Sequence, residues 1–266
     1  MHIGKSIRME RLFNRTTKRC IIVPMDHGVS VGPLPGLVDA RRAVTEVAEG
    51  GADAVLMHKG LVRCGHRHEG RDIGLIVHLS AGSNLSPNSN TKVLCASVED
   101  ALKMGADGVS VHVNMGDVAE GSMLADLGRV ASQAHHWGLP LLAMVYARGP
   151  LVKNPFDPDV VAHCARVAME LGADIVKVPY CGDIDSFSHV VESCCIPVVI
   201  AGGAKMGSTK EFLQVVHDSI RAGGAGLSVG RNVFQHSRPR MLVAALSGIV
   251  HASWTVEQAL NVVGED

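Results

Sequence analysis

A short pattern occurs four times along the chain, and each copy joins the end of an amphipathic helix to an apolar run. The copies are "GADAVLMH" from Gly51, "GADGVSVH" from Gly105, "GADIVKVP" from Gly172 and "GGAGLSVG" from Gly223. A glycine commonly follows the last turn of a helix, and a short run of β-branched residues after it indicates a buried strand. The pattern therefore predicts four strands, each preceded by a helix.

A second set of apolar runs alternates with this repeat. The runs are "RCIIVPMD" from Arg19, "GLIVHLS" from Gly74, "LPLLAMVY" from Leu139 and "IPVVIAGG" from Ile196. Combining the two sets gives eight strands, so the repeat is a unit of two strands and two helices that occurs four times.

The segments between the strands mostly carry helical signals. Residues 37–49 place their apolar side chains on one helical face. Residues 157–171 open with Asp157 as an N-cap and Pro158 in the first turn, and residues 208–222 open with the capping-box residues Ser208 and Glu211. The connection between the second and third strands, "KGLVRCGHRHEGRDIG", has no helical period, and we expect it to be irregular.

Eight strands alternating with helices predict a (β/α)8 TIM barrel. We expect one α/β domain over residues 1–266, with residues 1–19 as an N-terminal extension before the first strand. A doubly wound open sheet is the alternative, but it predicts a glycine-rich G-x-G-x-x-G turn after the first strand. The sequence there is "PMDHGVSVG", which lacks that turn.

Composition excludes several functional classes. Hydrophobic residues make up 47% of the chain and aromatic residues only 3%, which suits an aliphatic core of parallel strands under helices. A net charge of −1 offers no basic surface for nucleic acid, and no apolar run approaches the roughly 18 residues of a membrane span. The N-terminus lacks the features of a secretory signal. Seven cysteines without a C-x-x-C pair indicate a reducing, cytoplasmic location.

Polar residues and glycines concentrate where the predicted strands end, and in a barrel this end carries the active site. In chain order these residues are Asp26, His27, Gly28, His58, Lys59, His78, His112, Asn114, Tyr146, Arg148, Lys177, Gly202, Gly203, Gly230 and Arg231.

Lys177 interrupts the apolar strand "IVKVP" and needs an explanation. One hypothesis is a structural ion pair, because a buried lysine is rare unless it is paired. The other is a Schiff-base nucleophile, which must be neutral to attack a carbonyl. Burial lowers the pKa of an amine, and a shift from about 10.4 to about 7–8 would make it useful.

Asp26, Tyr146 and Arg148 also have two interpretations each. Asp26 either caps the next helix or handles protons, Tyr146 is either a packed aromatic or a general acid/base, and Arg148 either forms a surface ion pair or grips phosphate. The glycine motifs at 201–203 and 229–232 follow the last two strands, where barrels often bind phosphate.

Three histidines offer a rival chemistry. His58, His78 and His112 end the second, third and fourth strands. Three clustered imidazoles could hold a catalytic zinc ion with an open position, or they could only form hydrogen bonds.

Eight motifs, in order along nearly the whole chain, resemble the archaeal-type class I fructose-bisphosphate aldolase family. They are "RMERLFNR", "VPMDHGVSVGP", "HKGLVRCGHR", "VSVHVN", "MVYARG", "ADIVKVPY", "VVIAGG" and "VGRNVFQH". The resemblance implies that Lys177 forms the Schiff base, that Tyr146 donates the proton and that Asp26 is its acid/base partner. The implied phosphosugar pocket consists of Asp26, His27, Gly28, Val29, Ser30, Tyr146, Ala147, Arg148, Lys177, Gly202, Gly203, Gly230 and Arg231.

The resemblance further implies a transaldol reaction between a phosphorylated deoxy-diulose (6-deoxy-5-ketofructose 1-phosphate) and L-aspartate semialdehyde. It would be an early step of an alternative route to 3-dehydroquinate and aromatic amino acids. No metal or organic cofactor is expected, because the iminium itself accepts electrons. The partners implied are these small molecules and further copies of the chain, since such aldolases are often decamers.

Two other functions stay open. One is a class I fructose-1,6-bisphosphate aldolase with the same lysine, and the other is a phosphosugar-binding barrel without catalysis. The acceptor aldehyde would distinguish the transaldolase from the fructose-1,6-bisphosphate aldolase. Lys59, Arg63 and Arg67 are candidates to bind the carboxylate of aspartate semialdehyde, and Asn114 or His112 to face its ammonium group.

Overall fold

The eight strands predicted from the sequence form a closed parallel barrel. The computed structural model describes residues 2–65, 70–203 and 206–264. Each strand pairs with its neighbours in chain order, and the last pairs with the first, with Gly226 opposite Cys20. The strands are β1 (Cys20–Pro24), β2 (Ala54–His58), β3 (Gly74–His78), β4 (Gly108–Met115), β5 (Leu141–Ala147), β6 (Ile175–Pro179), β7 (Val198–Ala201) and β8 (Gly226–Ser228). The prediction of a (β/α)8 barrel is confirmed.

The described helices surround this barrel or lie at its ends. They are α1 (Ile3–Leu12), α2 (His27–Val31), α3 (Ala40–Gly50), α4 (Lys59–Gly65), α5 (Val98–Lys103), α6 (Glu120–Trp137), α7 (Pro158–Glu170), α8 (Ile184–Glu192), α9 (Thr209–Arg221), α10 (Arg231–Phe234), α11 (Pro239–Ala252) and α12 (Val256–Val263). A two-stranded antiparallel ribbon pairs Ser80–Ala81 with Val93–Leu94 after β3. Within the described part of the chain, no helix has both the length and the apolar character needed to cross a membrane.

The three helices predicted in detail are α3, α7 and α9. Two begin as expected, because the Asp157 carboxylate accepts hydrogen bonds from the first turn of α7 and the Ser208 hydroxyl accepts one from Glu211 N. The expectation of an irregular connection after β2 is wrong in part, since α4 occupies its first seven residues. Its apolar positions, Leu61 and Val62, are too few to show a period but pack against the core.

The aspartate of the repeated G-A-D motif joins neighbouring strands. Asp53, Asp107 and Asp174 precede β2, β4 and β6. Their carboxylates accept hydrogen bonds from the backbone N–H groups of the strand before, at Ile21 (2.7 Å), Leu75 (3.0 Å) and Leu141 (2.9 Å). The fourth copy of the repeat has Ala225 at this position. The motif therefore fixes the start of three strand pairs as well as ending three helices.

The N-terminal extension covers the base of the barrel. Leu12 and Phe13 pack into the inner core beneath Cys20 and Ile22. Lys5 of α1 pairs with Asp174 at 2.9 Å, and Arg11 pairs with Asp107 at 2.5 Å. Because this end of the barrel is covered, we expect the active site at the opposite end, where the carboxyl ends of the strands lie.

Replacing Asp174 by Asn should destabilise the fold. The Lys5 side chain is only 8% exposed, and the substitution leaves its charge buried without a counter-ion, which costs about 3 kcal/mol of unfolding free energy. Urea denaturation measures the loss. Asp72→Asn is the matched control, because Asp72 pairs with Arg11 at the surface and the change there should cost under about 1 kcal/mol. Equal losses in both variants would contradict this view of the barrel base.

Candidate active site

Lys177 points into the barrel interior near the carboxyl ends of the strands. Its neighbours Val176 and Val178 pack outward against the helices, while Lys177 lies between Met144 of β5 and Val199 of β7, two residues of the inner core. The residue is 7% exposed. It forms no hydrogen bond or ion pair with residues 2–65, 70–203 or 206–264, which disfavours the structural ion pair considered from the sequence.

Burial lowers the pKa of the Lys177 amine from 10.5 to about 8. The Asp26 carboxylate opposes this shift, whereas the Arg148 and Arg231 guanidinium groups add to it. With a pKa of about 8, roughly one amine in ten is neutral at pH 7. A partly neutral amine near pH 7 is what the nucleophile hypothesis requires.

Asp26 ends β1 and faces the same space. It occupies the N-cap position of α2, but its side chain makes no capping hydrogen bond, so the capping interpretation is wrong. Its two oxygens lie 3.6 Å from His27 Nδ1 and 3.9 Å from His78 Nε2. Burial acts to raise the pKa of Asp26, but attraction by His78, His27 and Lys177 outweighs it and lowers the pKa to about 2. The carboxylate is therefore ionised near neutral pH.

The strand-end histidines are hydrogen-bonded within the barrel. His78 Nδ1 lies 2.7 Å from Ser110 Oγ, and His112 Nε2 lies 2.9 Å from Asn114 Oδ1. Burial lowers the pKa of His78 to about 4 and also lowers the pKa of His58 and His112, which leaves the three rings neutral near pH 7. No group of three or more His, Cys, Asp or Glu side chains in the described ranges could hold a metal ion. This geometry does not favour the zinc alternative.

Tyr146 is a diagonal neighbour of Lys177 on the adjacent strand. It lies two residues beyond Met144, the residue that pairs with Lys177. The Arg148 guanidinium lies 4.8 Å from the centre of the tyrosine ring, and the His112 ring meets it edge-on at 5.1 Å. Burial raises the pKa of the phenol. Tyr146 is therefore a protonated, firmly oriented group beside the nucleophile.

Gly202 and Gly230 are required by packing within the protein and not only by the approach of a phosphate. A Cβ on Gly202 would lie 2.3 Å from Val229 Cγ1, and a Cβ on Gly230 would lie 2.5 Å from Pro24 O. Close packing within the protein thus requires glycine at both positions, whether or not a ligand approaches. Gly203 has a φ of +61° and open space beside it, so its backbone conformation favours glycine there.

Arg231 provides the polar group at this part of the site. Its Nη2 donates to Gly203 O at 2.6 Å, and its Nε is buried with no hydrogen-bond partner among the described residues. The neighbouring Asn232 Nδ2 donates to Gly202 O at 3.0 Å. A buried guanidinium N–H with no partner suits an incoming anion.

The remaining expected pocket residues lie around this centre. His27, Gly28, Val29 and Ser30 form α2 directly above β1, and Ala147 is buried at the end of β5. The candidates for an acceptor carboxylate fit less well. Lys59 is exposed and pairs with Asp100 at 3.5 Å, Arg63 is exposed, and Arg67 lies outside the described residues.

Sequence reasoning missed a cation at the mouth of the barrel. Lys92 comes from the long connection between β3 and β4 and is only 8% exposed. It follows the polar stretch "SPNSNT", which carries the composition of a solvated loop. No local pattern distinguishes it from a surface lysine, because its burial depends on loop packing.

Comparison with known proteins identifies the family of the chain. The model of the DeoC/LacD family aldolases matches residues 20–236. A 2-amino-3,7-dideoxy-D-threo-hept-6-ulosonate synthase of Halobacterium salinarum is 43% identical over 98% of this chain and 97% of its own. A 2-amino-4,5-dihydroxy-6-oxo-7-(phosphonooxy)heptanoate synthase of Streptomyces griseus is 41% identical over 95% of this chain and 92% of its own.

A solved structure of a Schiff-base-forming fructose-1,6-bisphosphate aldolase superimposes with a TM-score of 0.85 at 31% identity, covering 93% of this chain and 100% of that one. The matching family model, the full-length relatives and the shared barrel agree with one another. The chain therefore belongs to the DeoC/LacD family of aldolases.

Proposed function

We propose that the protein is a Schiff-base transaldolase that uses Lys177 to join a three-carbon ketone unit to L-aspartate semialdehyde, giving 2-amino-3,7-dideoxy-D-threo-hept-6-ulosonate. The observation that carries the proposal is a lysine that is buried near Asp26 and Arg148, has a pKa of about 8 and forms no ion pair with the described residues. The expected donor is 6-deoxy-5-ketofructose 1-phosphate. The product would feed an early step of a route to 3-dehydroquinate.

The product names of the two curated relatives support the acceptor. Both describe a seven-carbon 2-amino acid with a ketone at carbon 6. An aldol bond lies between the carbons α and β to a ketone, here carbons 5 and 4. Breaking it leaves carbons 1–4 as aspartate semialdehyde in both cases. The ketone halves differ, since carbon 7 is deoxy in one product and phosphorylated in the other.

The first half of the reaction forms the enamine. The neutral Lys177 amine attacks the donor ketone, and loss of water gives an iminium. A base removes the proton of the donor hydroxyl β to the iminium carbon, the adjacent carbon–carbon bond breaks, and its electron pair moves into the iminium to give an enamine. Asp26 is ionised and suits the role of this base. The cleaved aldehyde fragment then leaves.

The second half builds the product. The enamine carbon attacks the aldehyde carbon of aspartate semialdehyde, and the aldehyde oxygen takes a proton as the new bond forms. Tyr146 suits the role of proton donor, because burial keeps its phenol protonated. Water then hydrolyses the new iminium, which frees the product ketone and Lys177.

A second candidate keeps the acceptor but retains a phosphate on the ketone half. The Streptomyces griseus relative, at 41% identity, favours it through its product name. The buried, unpartnered Nε of Arg231 offers a donor to such a phosphate. The fructose-1,6-bisphosphate aldolase alternative rests on the 31% identical structural neighbour, and a non-catalytic barrel gives no reason to bury Lys177 unpaired.

The acceptor preference tests the proposal. With the deoxy-diulose phosphate as donor, kcat/KM for aspartate semialdehyde should exceed that for glyceraldehyde 3-phosphate by about 10²-fold or more, because a site that pairs with an amino and a carboxylate group rejects an aldehyde lacking them. Initial rates with each acceptor give the ratio. A higher value for glyceraldehyde 3-phosphate would instead make the protein an ordinary class I aldolase.

A cytoplasmic location and a homo-oligomer belong to the same proposal. All seven cysteines are free thiols, which suits a reducing compartment. The substrates expected are small phosphosugars and an amino aldehyde, and we expect no nucleic-acid or membrane partner.

A further inference from the structure

The loop that carries Lys92 is tied across the mouth of the barrel. On one side, Ser30 Oγ of α2 donates to Gly82 O at 3.0 Å, and Asn84 N donates to Ser30 O at 2.9 Å. On the other side, Asn114 Nδ2 of β4 donates to Asn90 O at 2.5 Å, and Asn90 Nδ2 contacts Arg148 O at 3.4 Å. The loop thus bridges from the end of β1 to the ends of β4 and β5.

The Lys92 side chain is held in a fixed place under this loop. Its Nζ donates to Ser89 O at 2.6 Å. A Cβ on Gly82 would lie 2.8 Å from that Nζ and 2.9 Å from Cδ of the same lysine. The absence of a side chain at Gly82 therefore makes the space in which the ammonium group lies.

Lys92 and Arg148 form a pair of like charges without a counter-ion in the described part of the chain. Neither makes an ion pair there. The Asp117 and Asp26 carboxylates act to raise the pKa of Lys92, but burial and the Arg148 charge outweigh them. The Asp117 Oδ1 already accepts hydrogen bonds from Asn88, Thr91 and Ala119. A buried ammonium group with an exposed guanidinium group nearby suits a site that receives an anion.

We propose that Lys92, together with Arg148, binds the α-carboxylate of the acceptor aldehyde and so sets acceptor specificity. This inference rests on the proposed function and adds to it a residue that binds the carboxylate of the acceptor aldehyde. Arg148 also orients Tyr146, so a carboxylate held by the pair brings the acceptor aldehyde toward the phenol that protonates it.

Position favours the acceptor carboxylate over a phosphate on the ketone half. The charges that perturb Lys177 include Arg148 on β5 and Arg231 beyond β8, two elements on different sides of the barrel. The Arg231 side offers the buried unpartnered Nε and the open Gly203. The Lys92 and Arg148 side lies next to the proton donor, which is where the acceptor must bind.

The test compares Lys92→Met with the wild type on two acceptors. One is aspartate semialdehyde, and the other is 3-aminopropanal, which is the same aldehyde without the carboxylate. Loss of one charge-assisted contact should lower kcat/KM for aspartate semialdehyde about 10–100-fold, mainly through KM. The value for 3-aminopropanal should not change.

Each other outcome overturns the inference. Equal losses on both acceptors would make Lys92 structural. Lys92→Arg should restore most of the preference, whereas loss of preference in Lys59→Met instead would return the role to Lys59. A wild type that ignores aspartate semialdehyde refutes the proposed function as well, while normal use of it by Lys92→Met refutes only this inference.

Discussion

Replacing Lys177 by Met should abolish turnover, with a loss on the order of 10⁴-fold or more, as expected when a covalent nucleophile is removed. Among the described residues, the other lysine at the mouth, Lys92, is held by Ser89 O and extends from a loop, so we do not expect it to substitute. Steady-state rates with the deoxy-diulose phosphate and aspartate semialdehyde measure the loss.

The control for this variant is Lys103→Met. Lys103 lies exposed on α5, and its loss should leave turnover within about two-fold of the wild type, as is usual for a surface position. Thermal unfolding of Lys177→Met checks that the barrel is intact. A folded Lys177→Met protein with appreciable turnover would contradict the assignment of the nucleophile.

Replacing Tyr146 by Phe should reduce kcat by about 10²–10⁴-fold, which is the usual contribution of a general acid/base. The ring keeps its contacts with Arg148 and His112, so only the phenolic proton is lost. Imine formation does not require that proton transfer in this account, and the variant should still be trapped by borohydride in the presence of donor.

A matched variant separates the loss of the phenolic proton from a change in side-chain packing. Tyr180→Phe removes the other tyrosine hydroxyl, which lies buried on the far side of β6 against Phe187, and it should leave kcat nearly unchanged. If Tyr146→Phe were as active as Tyr180→Phe, Tyr146 would be only a packing residue, and another group would have to supply the proton.

The fold could be predicted from the sequence because two local signals repeat. A glycine ends a helix and a β-branched run follows it, and this happens at Gly51, Gly105 and Gly172. The aspartate of the same motif was visible too, but its role was not, since the N–H groups it binds lie about 30 residues earlier in the chain. The short helix α4 was missed because seven residues carry hardly two turns of pattern.

Residues of the candidate site could be predicted where a polar side chain stands within or directly after an apolar strand. Lys177 breaks an apolar strand, and Asp26 and Tyr146 end strands at the face where barrels carry their chemistry. Lys92 could not be predicted in this way, because a lysine after Ser and Asn residues is typical of a solvated loop. Its burial comes from the space left at Gly82 and from the hydrogen bonds that tie its loop to Ser30 of α2 and Asn114 of β4, and only the folded barrel brings these together.

The most direct test of the account is to map the lysine that forms the Schiff base. The wild-type protein is incubated with the ketose phosphate donor, reduced with borohydride, digested and analysed by mass spectrometry. The account predicts the donor-derived mass on the peptide that carries Lys177, with the rate of trapping rising as pH increases through about 8, where the amine loses its proton. Labelling of Lys59 or Lys92 instead, or no label with a donor that the enzyme turns over, would contradict it.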